Sequence, residues 1–217
     1  MRKPVKSERW EKDCQAAEND LSKELPQIHT LRHLIALEHG SCQWRGEYAY
    51  KLIELQEWCL KQQPRTILEL GSGYTTVVLS RYARDFGARL VTVEEDQNWL
   101  SKVQGWIPEW YRQEVYISAS VRENGGIRYC SLPDLDGIDL LYVDGPSVVG
   151  PPTACLDAVV LAQRTRVANL LYDMRHISVD AFRDVPGYGF EPGGSYEWSC
   201  PEYLRARRHH SWFWRKL

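Results

Sequence analysis

The run Thr66-Ile67-Leu68-Glu69-Leu70-Gly71-Ser72-Gly73-Tyr74-Thr75-Thr76 constrains the fold more than any other stretch. An apolar segment ends in two glycines one residue apart, and a helix-periodic segment begins at once. That order predicts a buried strand, a tight turn and a helix start. Glycines at such a turn let the backbone approach a ligand with no Cβ in the way. A second apolar run, residues 88–93, ends at Glu94. An acid at the tip of a second strand is placed to accept hydrogen bonds from ribose hydroxyls. Together these features predict a nucleoside-containing ligand across the carboxyl ends of a parallel sheet.

A dinucleotide is disfavoured. The dinucleotide fingerprint needs a third glycine, and Thr76 stands in its place. Glu69 lies two residues before the first glycine. A carboxylate there repels a pyrophosphate and attracts a cationic ligand end.

The segment Glu69-Leu70-Gly71-Ser72-Gly73 resembles motif I of the class I S-adenosylmethionine-dependent methyltransferases, E/D-x-G-x-G. The resemblance implies S-adenosylmethionine as cofactor. It places Glu69 near the methionine moiety, Gly71, Ser72 and Gly73 in the turn that accommodates the cofactor, and Glu94 on the ribose. Glu95 is the competing ribose assignment, because strand ends are read only to within a few residues. Ile138-Asp139-Leu140-Leu141-Tyr142-Val143-Asp144-Gly145-Pro146 is similar to the family's fourth-strand motif. Residues 167–171, followed by Tyr172-Asp173, suit the fifth strand. The resemblance covers about residues 60–217.

The 217-residue length suffices for one substantial core, and a 43% apolar content argues against disorder. Lys plus Arg is 27 against 29 for Asp plus Glu, so the global charge lends nucleic-acid binding no support. The cluster Arg205-Ala206-Arg207-Arg208-His209-His210 reads equally well as a loop rim. The six cysteines form no C-x-x-C pair, which disfavours a zinc knuckle or redox pair and suits a reducing compartment. No apolar run nears the length of a membrane span, and no apolar signal core follows the basic start. A cytoplasmic protein is expected.

An N-terminal helical extension is expected over residues 1–62, with helices near 8–25 and 29–39. A third carries Tyr48, Leu52, Leu55 and Cys59 at helical spacing. Lid and dimer surface both remain open for it, and a homodimer is compatible with either. Residues 63–217 alternate strand and helix. Strands are expected at 66–70, 89–93, 115–117, 138–143 and 167–171. Helices are expected from Thr75, after Asp96, from Thr153 to Ala162 and from Ser178 to Asp184. This alternation predicts an α/β, Rossmann-like fold. The sheet should be mostly parallel and seven-stranded, with helices on both faces. The strand-like tail His210-Ser211-Trp212-Phe213-Trp214 and the region around Tyr188-Gly189-Phe190 are expected to add an antiparallel C-terminal pair.

Methyl transfer from a sulfonium is an in-line displacement, so the protein must align a nucleophile and help remove its proton. Side chains at the ends of the fourth and fifth strands suit this, which singles out Asp144, Asp173, Arg175 and His176. His176 is a candidate general base, against the alternative of a solvent-facing helix start. Arg175 is a candidate substrate clamp, against a surface ion pair. Asp144 is a candidate for orienting substrate or the cofactor amine, against turn capping. Some relatives bind a divalent cation through acids at these two strand ends. Here Met174 stands where a further Asp or Asn would follow Asp173, so a metal is not favoured. At the adenine pocket the usual acid is absent, and Ser118 is the candidate contact. Trp99 and Tyr142 read as core or as pocket wall. Trp44, Glu47 and Tyr48 are candidates for closing over the methionine end.

The leading expectation is methylation of a hydroxyl or amine on a small molecule or saccharide. An aminopropyl transferase and a non-catalytic cofactor-binding module are the alternatives.

Overall fold

The structure, a computed structural model, describes residues 47–107, 109, 114–147, 153–172, 176–182, 185–191 and 212–216. The helices expected near 8–25 and 29–39, the basic cluster at 205–210, Trp44, Asp173 and Arg175 lie outside the described residues. The chain divides into two compact units, residues 1–55 with 196–209, and residues 56–195 with 210–217. The second unit carries the sheet. Among the described residues, no helix is long and apolar enough to cross a membrane.

Helix α1 (Glu47–Gln62) buries Leu52, Leu55, Trp58 and Cys59, an i, i+3, i+6, i+7 stripe on one helical face. Strand β1 (Thr66–Leu70) follows. Ile67 through Leu70 are all buried, as expected of an interior parallel strand covered on both faces. Helix α2 (Tyr74–Phe86) starts directly after the glycine turn and ends at Gly87, whose φ of 64° closes it in the left-handed region. Strand β2 (Arg89–Glu94) and helix α3 (Gln97–Trp106) come next. Asp96 caps α3 by accepting from the amides of Asn98 and Trp99. Strand β3 is Glu114–Ile117.

A hairpin absent from the expected layout then appears. Strands β4 (Ser120–Glu123) and β5 (Gly126–Tyr129) pair antiparallel around Asn124-Gly125, whose φ values of 50° and 76° are those of a two-residue primed turn. The fourth-strand segment is interrupted. Strand β6 (Gly137–Ile138) pairs with β9 (Arg166–Val167), while β7 (Leu140–Val143) pairs with β1 and with β10 (Asn169–Tyr172). Asp139 sits at the break. Its carboxylate accepts the amides of Arg65 and Thr66 at 2.8 and 3.0 Å, and its carbonyl accepts from Asn169 Nδ2 at 2.9 Å.

The helix expected from Thr153 begins later. Ala154–Cys155 is strand β8, parallel to β5, and helix α4 runs over Asp157–Arg164. Pairing with the hairpin holds the first residues extended. Helix α5 (His176–Phe182), strand β11 (Tyr188–Glu191) and strand β12 (Trp212–Lys216) complete the description.

The main sheet has the order β11-β12-β10-β7-β1-β2-β3. The pairs among β10, β7, β1, β2 and β3 are parallel, and β12 runs antiparallel to both of its neighbours. This is a mixed α/β fold with a mostly parallel sheet and flanking helices. The chain builds outward from β1 to β2 and β3, then returns to place β7 on the other side of β1. The crevice at the carboxyl ends of β1 and β7 is the switch point, where open α/β sheets bind ligands. A continuous cluster of buried side chains backs it, including Leu68, Leu70, Val91, Val93, Leu141 and Val143.

Candidate active site

The glycine turn closes the end of β1. Gly71 has φ 87°, and its amide donates to Val93 O at 2.8 Å. A Cβ on Gly71 would lie 2.5 Å from Gly145 N and 2.7 Å from Gly145 Cα. The space that Gly71 leaves is therefore filled by the tip of β7, where the amides of Asp144 and Gly145 both donate to Leu70 O. This corrects the expectation that Gly71 keeps a ligand path open. Gly71 is required by its conformation and by strand packing. Gly73 is different. Its backbone is extended, and a Cβ there would meet nothing within 4 Å. Gly73 is the member of the pair that faces open space, at the start of α2.

Glu69 lies beneath the turn, fully buried. Its two oxygens accept from Thr75 Oγ1 at 2.8 Å and Thr92 Oγ1 at 2.9 Å. Burial pushes its carboxyl up to about 7; hydrogen bonds from Thr75, Thr76 and Thr92 oppose that rise, and the nearby Asp144 adds to it. Glu69 thus acts from inside the protein, and the structure brings it close to Asp144. The threonines that hold it were not singled out from sequence, although Thr92 falls on an alternate position of a predicted strand.

Glu94 is 5% exposed and carries four protein hydrogen bonds. Oε2 accepts from the amide and the hydroxyl of Ser72, both at 2.8 Å. Oε1 accepts from the amides of Glu95 and Asp96 at 2.8 and 3.0 Å. The carboxylate clamps the glycine turn to the tip of β2. Of its partners, only the Ser72 hydroxyl can rotate away to admit a ligand hydroxyl. Glu95 is more open, and its Oε1 accepts the amide of Ser147 at 2.6 Å. That bond links the tip of β2 to the segment after β7.

Ser118 follows β3 and is buried. Its amide donates to Glu94 O at 2.9 Å, and its hydroxyl accepts from Ser131 N at 2.9 Å. It stands beside the β2 tip and ties the loop at 131 in place. Trp99 donates from Nε1 to Ser72 O at 2.8 Å, so its indole holds the turn from outside. Tyr74 stacks on Trp106 with ring centroids 4.9 Å apart, and Trp99 meets Trp106 edge-on. Tyr142 is fully buried in β7, which makes it core and not pocket wall.

Asp144 ends β7 at the turn. His176 is the first residue of α5, beyond β10. Among the described residues, no three His, Cys, Asp or Glu side chains cluster as a metal site would need. Asp173, the second acid of the metal arrangement, is outside them.

The sequence matches no family model and no curated relative. Solved structures do match. An O-methyltransferase from Bacillus cereus, solved with S-adenosylhomocysteine, shares 15% identity over 93% of this chain and 97% of its own, with a TM-score of 0.53. The O-methyltransferase TomG of Streptomyces achromogenes, involved in tomaymycin synthesis and solved with S-adenosylmethionine, shares 14% identity over 99% of both chains, with a TM-score of 0.50. Glycine turn, strand-tip acids and sheet order thus occur together in a chain that shares the fold of these two O-methyltransferases.

Proposed function

We propose that this chain is an S-adenosylmethionine-dependent methyltransferase that acts on a hydroxyl or amine of a small molecule or saccharide. One observation carries the reading. The side-chain space of Gly73 is open at the start of a 13-residue helix, with acids at the tips of β1, β2 and β7 around it. Open space at this helix start, with carboxylates at the neighbouring strand tips, suits a nucleoside with a cationic end better than a pyrophosphate. When bound, S-adenosylmethionine supplies a methyl group already activated on a positive sulfur.

The chain's own residues then have separable tasks. Gly73 admits the ligand backbone, and Glu94 takes the ribose through the edge that Ser72 Oγ now occupies. Ser118 meets the adenine. Glu69 and Asp144 make the region beside the turn favourable for positive charge. Asp144, Asp173, Arg175 and His176 are the groups proposed to act on the acceptor, with His176 or an acid taking its proton and Arg175 orienting it. Residues 1–62 serve as a helical extension to the domain at 63–217. O-methylation by two proteins of this fold supports a hydroxyl acceptor.

Calorimetric titration with S-adenosylmethionine and S-adenosylhomocysteine tests the reading. Saturable binding of both is expected, with Glu94→Gln weakening it by about 1–3 kcal/mol. If Glu95→Gln loses that affinity and Glu94→Gln keeps it, the ribose acid is Glu95. A folded protein that binds neither compound overturns the proposal.

A further inference from the structure

Trp99 lies half-buried in the first turn of α3. An indole has one polar group, the Nε1–H donor, and here it is bonded to Ser72 O at 2.8 Å. Ser72 precedes Gly73, the cap of α2, so its carbonyl lies outside the helix ladder. The other side of the same peptide unit is tied as well, because the Gly73 amide donates to Thr76 Oγ1 at 2.8 Å. The Ser72–Gly73 peptide is therefore held at both ends, directly before the open side-chain position at Gly73.

The bonds of Trp99 close a circuit. Glu94 Oε2 accepts from the amide and hydroxyl of Ser72, and Ser72 O accepts from Trp99 Nε1. The Trp99 amide donates to Asp96 Oδ1 at 3.1 Å, and the Asp96 amide donates to Glu94 Oε1 at 3.0 Å. The circuit begins and ends on one carboxylate. The indole itself is steadied by Trp106, edge-on at 5.6 Å between centroids, and by Lys102 Nζ, 5.8 Å from its ring. A ligand hydroxyl that takes the Glu94 edge displaces Ser72 Oγ and leaves the rest of the circuit in place. A phenyl ring at position 99 would fill much of the same space and leave the circuit open.

We propose that Trp99 is a positioning residue for the cofactor site, whose indole N–H fixes the Ser72–Gly73 peptide so that the turn holds its shape when a ligand hydroxyl replaces Ser72 Oγ on Glu94. The inference rests on the methyltransferase reading above. It adds a residue from α3, outside the strand-tip motifs, which acts by preorganising the turn and not by touching the ligand.

A double-mutant cycle on the full chain tests it, read by calorimetric titration with S-adenosylhomocysteine. Trp99→Phe removes the N–H and keeps an aromatic ring. Glu94→Gln opens the circuit at its other end, since a glutamine accepts on one side only, whichever way it turns. Trp99→Phe is expected to weaken binding about five- to tenfold in the wild-type background, the scale of one hydrogen bond, and less than about twofold in the Glu94→Gln background. A role in packing alone would cost the same in both. Equal losses in the two backgrounds, or no loss in the first, overturn the inference and leave the methyltransferase reading standing. A second measurement does not depend on the Phe variant folding. Exchange of the Trp99 indole N–H with solvent, followed by NMR, is expected to be slow in the wild type and at least about tenfold faster in Glu94→Gln. Exchange that Glu94→Gln leaves unchanged overturns the inference. Failure of the wild type to bind overturns the methyltransferase reading first.

Discussion

Two glycines that look alike in the sequence do different work. Gly71 sits at positive φ with its Cβ direction blocked by backbone, whereas Gly73 is extended and open. Gly71→Ala adds both αL strain and a clash with atoms that cannot swing aside. It is expected to destabilise the fold by about 2–4 kcal/mol in urea unfolding. Gly73→Ala is expected to stay within about 1 kcal/mol of wild type and to weaken S-adenosylhomocysteine binding at least about tenfold. Equal stability losses in the two variants would contradict the assignment. Glu69 supports a pH prediction. Its folded-state pKa, about 7, lies above its ordinary value of 4.5. The folded state therefore holds the proton more tightly, and this group's contribution to stability falls as pH rises from about 4.5 through about 7. Glu69→Gln removes that titration. Relative to wild type, the Gln variant should gain stability between pH 5 and pH 8 in parallel urea titrations. A difference that is flat or moves the other way would show that Glu69 does not titrate in this window.

At the scale of elements, most of the sheet was legible and the connections were not. Strands β1 and β2 are continuous apolar runs whose ends are marked by Gly71 and Glu94, so their burial on two faces could be read directly. The fourth strand reads as one run from Ile138 to Val143 because Asp139 is a single polar residue among apolar ones. Its carboxylate instead turns to two backbone amides and splits the run. Asp139→Ala leaves those amides without that acceptor, at an expected cost of about 1–2 kcal/mol in unfolding. Ligand affinity of the folded fraction should be unchanged. The β4–β5 hairpin did carry a signal, Asn124-Gly125, one of the strongest short-range hairpin cues. The late start of α4 followed from the same omission, because a pairing partner for Ala154–Cys155 is invisible until the hairpin is drawn. Glu94's four protein partners and the approach of Gly145 to Gly71 are tertiary facts. No local pattern encodes them.

Across the whole molecule, the proposed ligand face is assembled from strands far apart in sequence. The tips of β1, β2 and β7 meet at the switch point, and the fold of two O-methyltransferases is shared despite identities of 14–15%. The far edge is organised differently. Strand β12 lies between β10 and β11, and pairs with both. Trp214→Pro, in the middle of β12, should remove one ladder hydrogen bond and disrupt the strand that both β10 and β11 pair with. Hydrogen exchange is expected to show β11 losing protection while β1, β2 and β7 keep theirs. Uniform loss across the sheet would mean that the edge and the ligand face unfold as one unit. The placement of β12 also has a consequence for synthesis. A chain growing from its N-terminus releases β10 and β11 before the strand that joins them. Until residues 212–216 emerge, β10 presents an open edge and β11 has no place in the sheet. The nascent protein can pair β10, β7, β1, β2 and β3 first, and it has an exposed strand to shield until β12 is inserted.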